Sequence, residues 1–368
     1  DMMRMLDSGV WALIILMAGT SITLEAQETA LWYLGTYTRD ILVWDEASEQ
    51  VVDRIEMGHH TPADIVVNEG KDRIYVRDGT ALHMELVDLK TKEVVDEFTL
   101  SQGNVTVRIN GFAPHPSDEK AVIFAKRYTK LRDRYVVEGP FLLEYDLTNK
   151  TVTDTIPWPD DQERESIRFQ YSPDGEILYM FAEDIIALDG SSYEEVDRWQ
   201  ISTPIESGVG RSRFGTAPQP YDEEGVATSL FRMTDPVQNR RLMGIAKVRL
   251  SEKKVEFFTL GEARPVRNFT LAPDGKKAYG LLEQGNIAEY EFWEFDLVNQ
   301  RVSKRVPFAG RPRMTLGVSA DGEHLFIYNA GNTIDVYDAE TFDYIKQIVF
   351  DEDTTFEVMI PQTGNFTP

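Results

Sequence analysis

Eight arginines fall into a pattern that suits carboxylate recognition. Arg108, Arg168, Arg211, Arg213, Arg264, Arg267, Arg311 and Arg313 sit at or just ahead of five successive strand-like runs, in a chain whose formal charge is −24. A guanidinium group is planar, always charged and presents a fork of donors, so a ring of them would dock an anion or an acidic loop of a partner. The same side chains can equally pair with the Asp and Glu of neighbouring loops. A second basic cluster, Lys126, Arg127, Lys130, Arg132 and Arg134, lies in the stretch 126–139. It reads as a solvated loop, or as a contact for lipid headgroups or a partner. Catalytic signals are thin. His59 and His60 are adjacent, and neighbours on a strand point to opposite faces, which argues against joint metal ligation. His83, His115 and His324 stand alone. No nucleophile elbow, phosphate loop, zinc helix motif or calcium-loop spacing occurs, so no catalytic residue, metal or cofactor is expected.

The elements that must position these side chains repeat. Strand-like runs end on Asp45, Asp88, Asp146, Asp189, Arg249, Asp296 and Asp338, at intervals of 43, 58, 43, 60, 47 and 42 residues. A second marker, a turn of the Pro-Asp-Gly type, recurs at Asn68–Lys71, Ser117–Lys120, Pro173–Glu176, Pro273–Lys276 and Ala320–Glu323. Proline presets one turn dihedral and glycine accepts a positive φ, which suits a hairpin. A period of about 40–50 residues with four strands per unit predicts an all-β, seven-bladed β-propeller of four-stranded blades. Only three strands precede the first Pro-Asp-Gly-type turn's own unit. The run Phe356–Ile360 is expected to supply the missing strand and close the ring. The long intervals are read as insertions, at 126–139 and 203–241. Trp44, Tyr145, Trp293, Phe295 and Tyr337 are read as packing between blades.

Composition narrows the class further. Such an acidic chain repels phosphate backbones, which excludes generic nucleic-acid binding. Cysteine is absent, so disulfides, thiolate chemistry and iron–sulfur clusters are excluded as well. Residues 8–24 carry no charge and follow Arg4; Ser8, Trp11, Leu13, Ile14, Ile15, Leu16 and Leu24 belong to this apolar segment. It reads as an N-terminal helix that anchors the chain in a membrane, or as a signal segment cleaved near Ala26. Either reading places residues 29–368, one propeller domain, on the periplasmic or extracytoplasmic side. The acceptor motifs at Asn104, Asn149, Asn268 and Asn365 add nothing without a source.

The motifs Ser172-Pro173-Asp174-Gly175, Leu271-Ala272-Pro273-Asp274-Gly275, Val318-Ser319-Ala320-Asp321-Gly322 and Val336-Tyr337-Asp338-Ala339-Glu340-Thr341 resemble those of the amine-dehydrogenase type of seven-bladed propeller. The likeness is to the beta subunit of quinohaemoprotein amine dehydrogenases and, more loosely, to YVTN-repeat surface proteins. It is clearest from Tyr171 to Phe350. The resemblance implies a propeller that packs against other protein subunits, which carry the quinone and the haem. The expected function is a non-catalytic, exported scaffold of a membrane-associated electron-transfer or photosynthetic complex. The alternative is the propeller subunit of a periplasmic amine dehydrogenase. A stand-alone hydrolase or lactonase would need carboxylates and an Asn or His converging on a central metal, and the inner runs hold no such set.

Overall fold

The computed structural model describes residues 29–201, 212–214, 219–235, 237–284, 289–328 and 331–362. The expected apolar helix at residues 8–24 lies outside them, as does Arg211. The chain is built from strands; one 3₁₀ turn, Pro159–Asp161, holds the helical residues described. Outer strands such as Glu93–Thr99 alternate exposed with half-buried side chains, so one face packs and the other meets water, whereas Ile177–Phe181 and Ile185–Asp189 are buried along most of their length.

Consecutive strands pair antiparallel. Five four-stranded sheets follow one another along the chain. The first comprises β4 (Pro62–Val67), β5 (Arg73–Asp78), β6 (His83–Asp88) and β7 (Glu93–Thr99), the second β8 (Val105–Pro114), β9 (Lys120–Lys130), β10 (Tyr135–Asp146) and β11 (Thr151–Ile156). The third holds β12 (Arg168–Tyr171), β13 (Ile177–Phe181), β14 (Ile185–Asp189) and β15 (Glu195–Trp199). The fourth holds β16 (Ser212–Phe214), β17 (Val226–Asp235), β18 (Arg240–Arg249) and β19 (Lys254–Glu262). The fifth holds β20 (Val266–Leu271), β21 (Lys277–Gln284), β22 (Glu289–Asp296) and β23 (Arg301–Pro307). The chain's two ends share one seven-stranded sheet. It runs β24 (Thr315–Val318), β25 (His324–Tyr328), β26 (Gly331–Asp338), β27 (Tyr344–Gln362), β1 (Thr29–Thr36), β2 (Asp40–Asp45) and β3 (Gln50–Glu56).

The sheets are arranged as a β-propeller. Seven separate four-stranded blades were expected; five stand as separate sheets among the described residues, and the count is corrected accordingly. The reason is the length of β27. Its first half pairs with β26 (Ile334↔Ile348) and its second half with β1 (Leu31↔Ile360, Trp32↔Met359), so one continuous strand merges both neighbours. Thr354 pairs with Gly331 on one side and Thr36 on the other. The merged sheet is sharply bent. Strands three steps apart in a flat sheet lie about 14 Å from each other. Yet the Trp32 ring on β1 sits 5.6 Å from Phe326 and 5.5 Å from Tyr328 on β25, edge to face.

Apolar clusters fill the gaps between successive units. Ile41, Ile55, Ile74 and Val87 pack between β1–β3 and β4–β7. Tyr75, Met84, Ile123 and Tyr145 fill the next gap, and Phe124, Leu142, Leu178 and Ile186 the one after. The series ends with Phe292, Leu316, Leu325 and Tyr337, followed by Trp32, Trp44 and Phe326. Of the five aromatic residues assigned to packing, all are buried. The recurrent aspartates are turn-formers: Asp88, Asp146, Asp189 and Asp338 each accept the backbone N–H three residues on, at 2.7–2.9 Å. Those N–H groups hold the four carboxyls below the usual carboxylate range. At the second marker Gly175, Gly275 and Gly322 take φ of 74°, 63° and 76°. Lys71 and Asp118 hold the same left-handed conformation with a side chain, at φ 54° and 57°.

Candidate functional site: an arginine-bearing face

The strand directions sort the loops onto two faces. In each of the five separate sheets the first strand (β4, β8, β12, β16 and β20) is an edge strand, the position that lines the centre of a propeller. Neighbouring units touch through these strands, as β27 does β4, β8 does β12 and β20 does β24. All run the same way, so their beginnings share one face, here termed the leading face. The hairpin tips between second and third strands lie there too. The aspartate turns and Pro-Asp-Gly-type turns lie on the opposite, trailing face.

Arg108, Arg168 and Arg267 are exposed near the beginnings of β8, β12 and β20. Arg264 is exposed in the link from β19 to β20, and Arg313, at φ 63°, in the link to β24. Among the described residues, no side-chain hydrogen bond or ion pair holds Arg108, Arg168, Arg267 or Arg313. Burial would raise the Glu291 carboxyl, but bonds from Arg305 and Trp293 hold it below its usual range, with the Arg264 charge adding the smallest share. Arg311 differs. It bonds Asp335 at 2.5 Å and the Thr333 carbonyl at 3.0 Å, which makes it a tie within its own unit. Arg213 is placed through its backbone alone, opposite Arg232.

Four cations on the trailing face are matched by acids. Lys120 lies 3.0 Å from Glu144, Lys247 2.9 Å from Glu223 and Lys277 3.3 Å from Glu294. Arg249, which replaces the aspartate marker, lies 3.0 Å from Glu223. Arg108, Arg168, Arg267 and Arg313, without such partners among the described residues, lie toward the leading face of an acidic molecule. In a surface region of high dielectric each attracts anions weakly, but several around one mouth sum their fields.

Two further arginines escaped the sequence pattern because they sit on second strands. Arg77 donates to the Ile109 carbonyl at 3.3 Å, and Arg232 to the Val266 carbonyl at 3.4 Å. Each spans from one unit to the inner strand of the next, and so helps fix where Arg108 and Arg267 project.

The trailing end of the centre is crossed by part of the long insertion. Gln219 donates to the Phe269 carbonyl and accepts the Leu271 N–H on β20. Tyr221 donates to the Val318 carbonyl on β24 and packs against Met359 on β27. This segment belongs to the fourth sheet's β16–β17 link, yet it touches inner strands of units further round. Nothing in the repeat pattern signals it.

The histidines assemble differently from their spacing. His59 stacks on His83, rings 4.0 Å apart and 4° from parallel, rather than acting with His60. His59 Nε2 lies 3.0 Å from Glu97, and His83 Nδ1 3.1 Å from Asp78. Asp78 is buried, and burial alone would raise its pKa; bonds from His83, Thr80 and the Leu82 N–H outweigh that and hold it low. The arrangement braces the β5–β6 tip. Among the described residues no three His, Asp or Glu side chains gather as a metal-binding group. No helix among them is long and apolar enough to cross a membrane.

The fold places the chain among propeller proteins. No protein-family model matches it, and no curated protein matches its sequence. Solved structures do. A dihydro-heme d1 dehydrogenase, NirN, in complex with DHE aligns over 90% of this chain and 75% of its own, at 11% identity and a TM-score of 0.55. A functionally unknown protein from Desulfotomaculum acetoxidans aligns over 90% and 98%, at 15% identity and 0.55. Apo AztD from Citrobacter koseri aligns over 92% and 100%, at 14% identity and 0.53. At such identities the likeness is one of fold.

Proposed function

We propose that this chain is a non-catalytic propeller scaffold whose leading face docks an acidic segment of another protein subunit. The observation that carries this reading is the set of exposed arginines, Arg108, Arg168, Arg267 and Arg313, without ion pairs among the described residues, in a chain of charge −24. An isolated guanidinium left solvated beside so many carboxylates is matched to a carboxylate that arrives from outside. The ring is read as seven sectors, with the bent sheet counting as two blades that share β27. The Trp32–Phe326 packing between its two arms supports this, because apolar clusters likewise fill the gaps between the separate sheets.

The apolar segment 8–24 is proposed as an anchor on the extracytoplasmic side of a membrane. β1, into which that segment leads, runs antiparallel to the second half of β27 and so begins on the trailing face. An anchor there turns the arginines away from the bilayer and towards a partner. A membrane-associated redox complex is the assembly this reading favours. The second reading, a propeller subunit of an amine dehydrogenase, rests on the blade motifs at Ser172–Gly175 and Val336–Thr341. Haem absorbance and dye-linked amine oxidation in the co-purified assembly would favour it over the first.

The docking reading is tested with a fluorescent glutamate-rich peptide and the full chain. Replacing Arg168 and Arg267 together by Glu is expected to weaken binding at least about tenfold, and added salt to weaken it further. Equal binding by that variant would sink the assignment of the rim.

A further inference from the structure

The second sheet carries a ribbon that its neighbours lack. β8, β9 and β10 continue past the point where β11 stops. Val105 pairs with Thr129 and Arg108 with Lys126, while Tyr135 pairs with Lys130 and Val137 with Tyr128. β11 pairs with β10 only from Leu142 to Asp146. Among the described residues no strand covers the outer edge of β10 between Tyr135 and Glu138. Its backbone donors and acceptors on that side have no strand to pair with among the described residues. The side chains are strand-formers and exposed: Tyr135 by 59%, Val136 by 37% and Val137 by 55%. Such an edge is a template for another strand.

We propose that the edge Arg134–Glu138 pairs antiparallel with the same edge of a second copy of this chain. The sequence Arg134-Tyr135-Val136-Val137-Glu138 is complementary to itself under a two-fold axis through Val136. Val136 then faces its counterpart, Tyr135 faces Val137, and Arg134 faces Glu138 at both ends. Opposite charges directly across a strand pair are stabilising and like charges are not, so this register is selected over its shifted neighbours. Both charges are available. Among the described residues Arg134 meets only the exposed Asp133 beside it, at 3.2 Å, and Glu138 lies 3.9 Å from a half-exposed Arg127. Gly139, at φ 94°, and Pro140, which lacks an N–H, end the edge at its base. The pairing is thereby limited to about five residues and cannot spread into a fibre. The projecting ribbon also keeps two strongly acidic bodies apart. This inference does not depend on the arginine rim or on the partner proposed for it.

Sedimentation velocity of the full chain in density-matched detergent, at concentrations up to about 0.3 mM, tests it. The expected result is a concentration-dependent dimer. Arg134→Glu, and separately Glu138→Arg, should weaken it at least about tenfold, whereas the double exchange should restore it to within about threefold. Both positions are exposed, so unchanged thermal melts confirm that the variants fold. A monomer at every concentration overturns the proposal. So does a dimer that ignores either single exchange, or one that the double exchange fails to restore; the latter results would leave the edge to a different protein's strand or to solvent.

Discussion

The Glu46 carboxylate accepts the backbone N–H of Ala320 at 2.8 Å, across 274 residues of sequence. Its other oxygen takes the indole N–H of Trp32 at 2.9 Å. One side chain thus ties β1 to the turn that follows β24, joining the two arms of the merged sheet at their trailing end. Burial dominates its titration and pushes its pKa up to about 7, against the two donors that favour the charged form.

A pH dependence follows from this carboxyl. Its folded pKa lies above its unfolded one, so its favourable contribution is complete below about pH 4.5 and fades as pH rises through about 7. Urea unfolding between pH 5 and 8 should show stability falling by about 1–3 kcal/mol from this group. Glu46→Gln should flatten that part of the slope. An unchanged slope would remove Glu46 from the account of closure.

Closure also depends on Gly317, on β24. A Cβ there would overlap the Trp32 ring. Gly317→Ala is expected to cost about 1–3 kcal/mol, as overpacking does in a filled core. Gly103→Ala is the comparison: φ is 60°, but a Cβ there meets nothing within 4 Å, so it should cost about 1 kcal/mol or less. Chemical denaturation of both variants orders them.

Tyr221 should behave as a brace across the trailing end. Tyr221→Phe removes the bond to the Val318 carbonyl and is expected to cost about 1 kcal/mol. Tyr221→Ala also removes packing against Met359 and the clusters beside it, for about 2–4 kcal/mol. Hydrogen exchange should then rise on β20 and β24 before it rises on β5.

Much of the architecture was legible because the repeat is made of local chemistry. An aspartate at the end of a strand bonds the N–H three residues on, and that signal survives in a single sequence at Asp88, Asp146, Asp189 and Asp338. The pairing of residues near Phe356–Ile360 with β1 was legible for a related reason, since three strands at the start of the chain needed a fourth. The merging of both ends through β27 was not, because strand continuity is decided by bending near Thr354 rather than by residue type. His59 and His83 are 24 positions apart on different elements, and stacking leaves no local trace. Arg311 shared the spacing of the rim arginines, but the Asp335 that neutralises it lies on another strand. The brace at Gln219 and Tyr221 sits in an insertion, where no repeat constrains the reading.

The orientation of docking can be read directly in native membranes. A photo-crosslinking residue replaces Asn110 or Glu262 on the leading face, and Lys276 or Glu340 on the trailing face, and captured chains are identified by mass spectrometry. The account predicts one acidic partner polypeptide captured from both leading positions and from neither trailing one. Capture of that partner from Lys276 and Glu340 alone would contradict it.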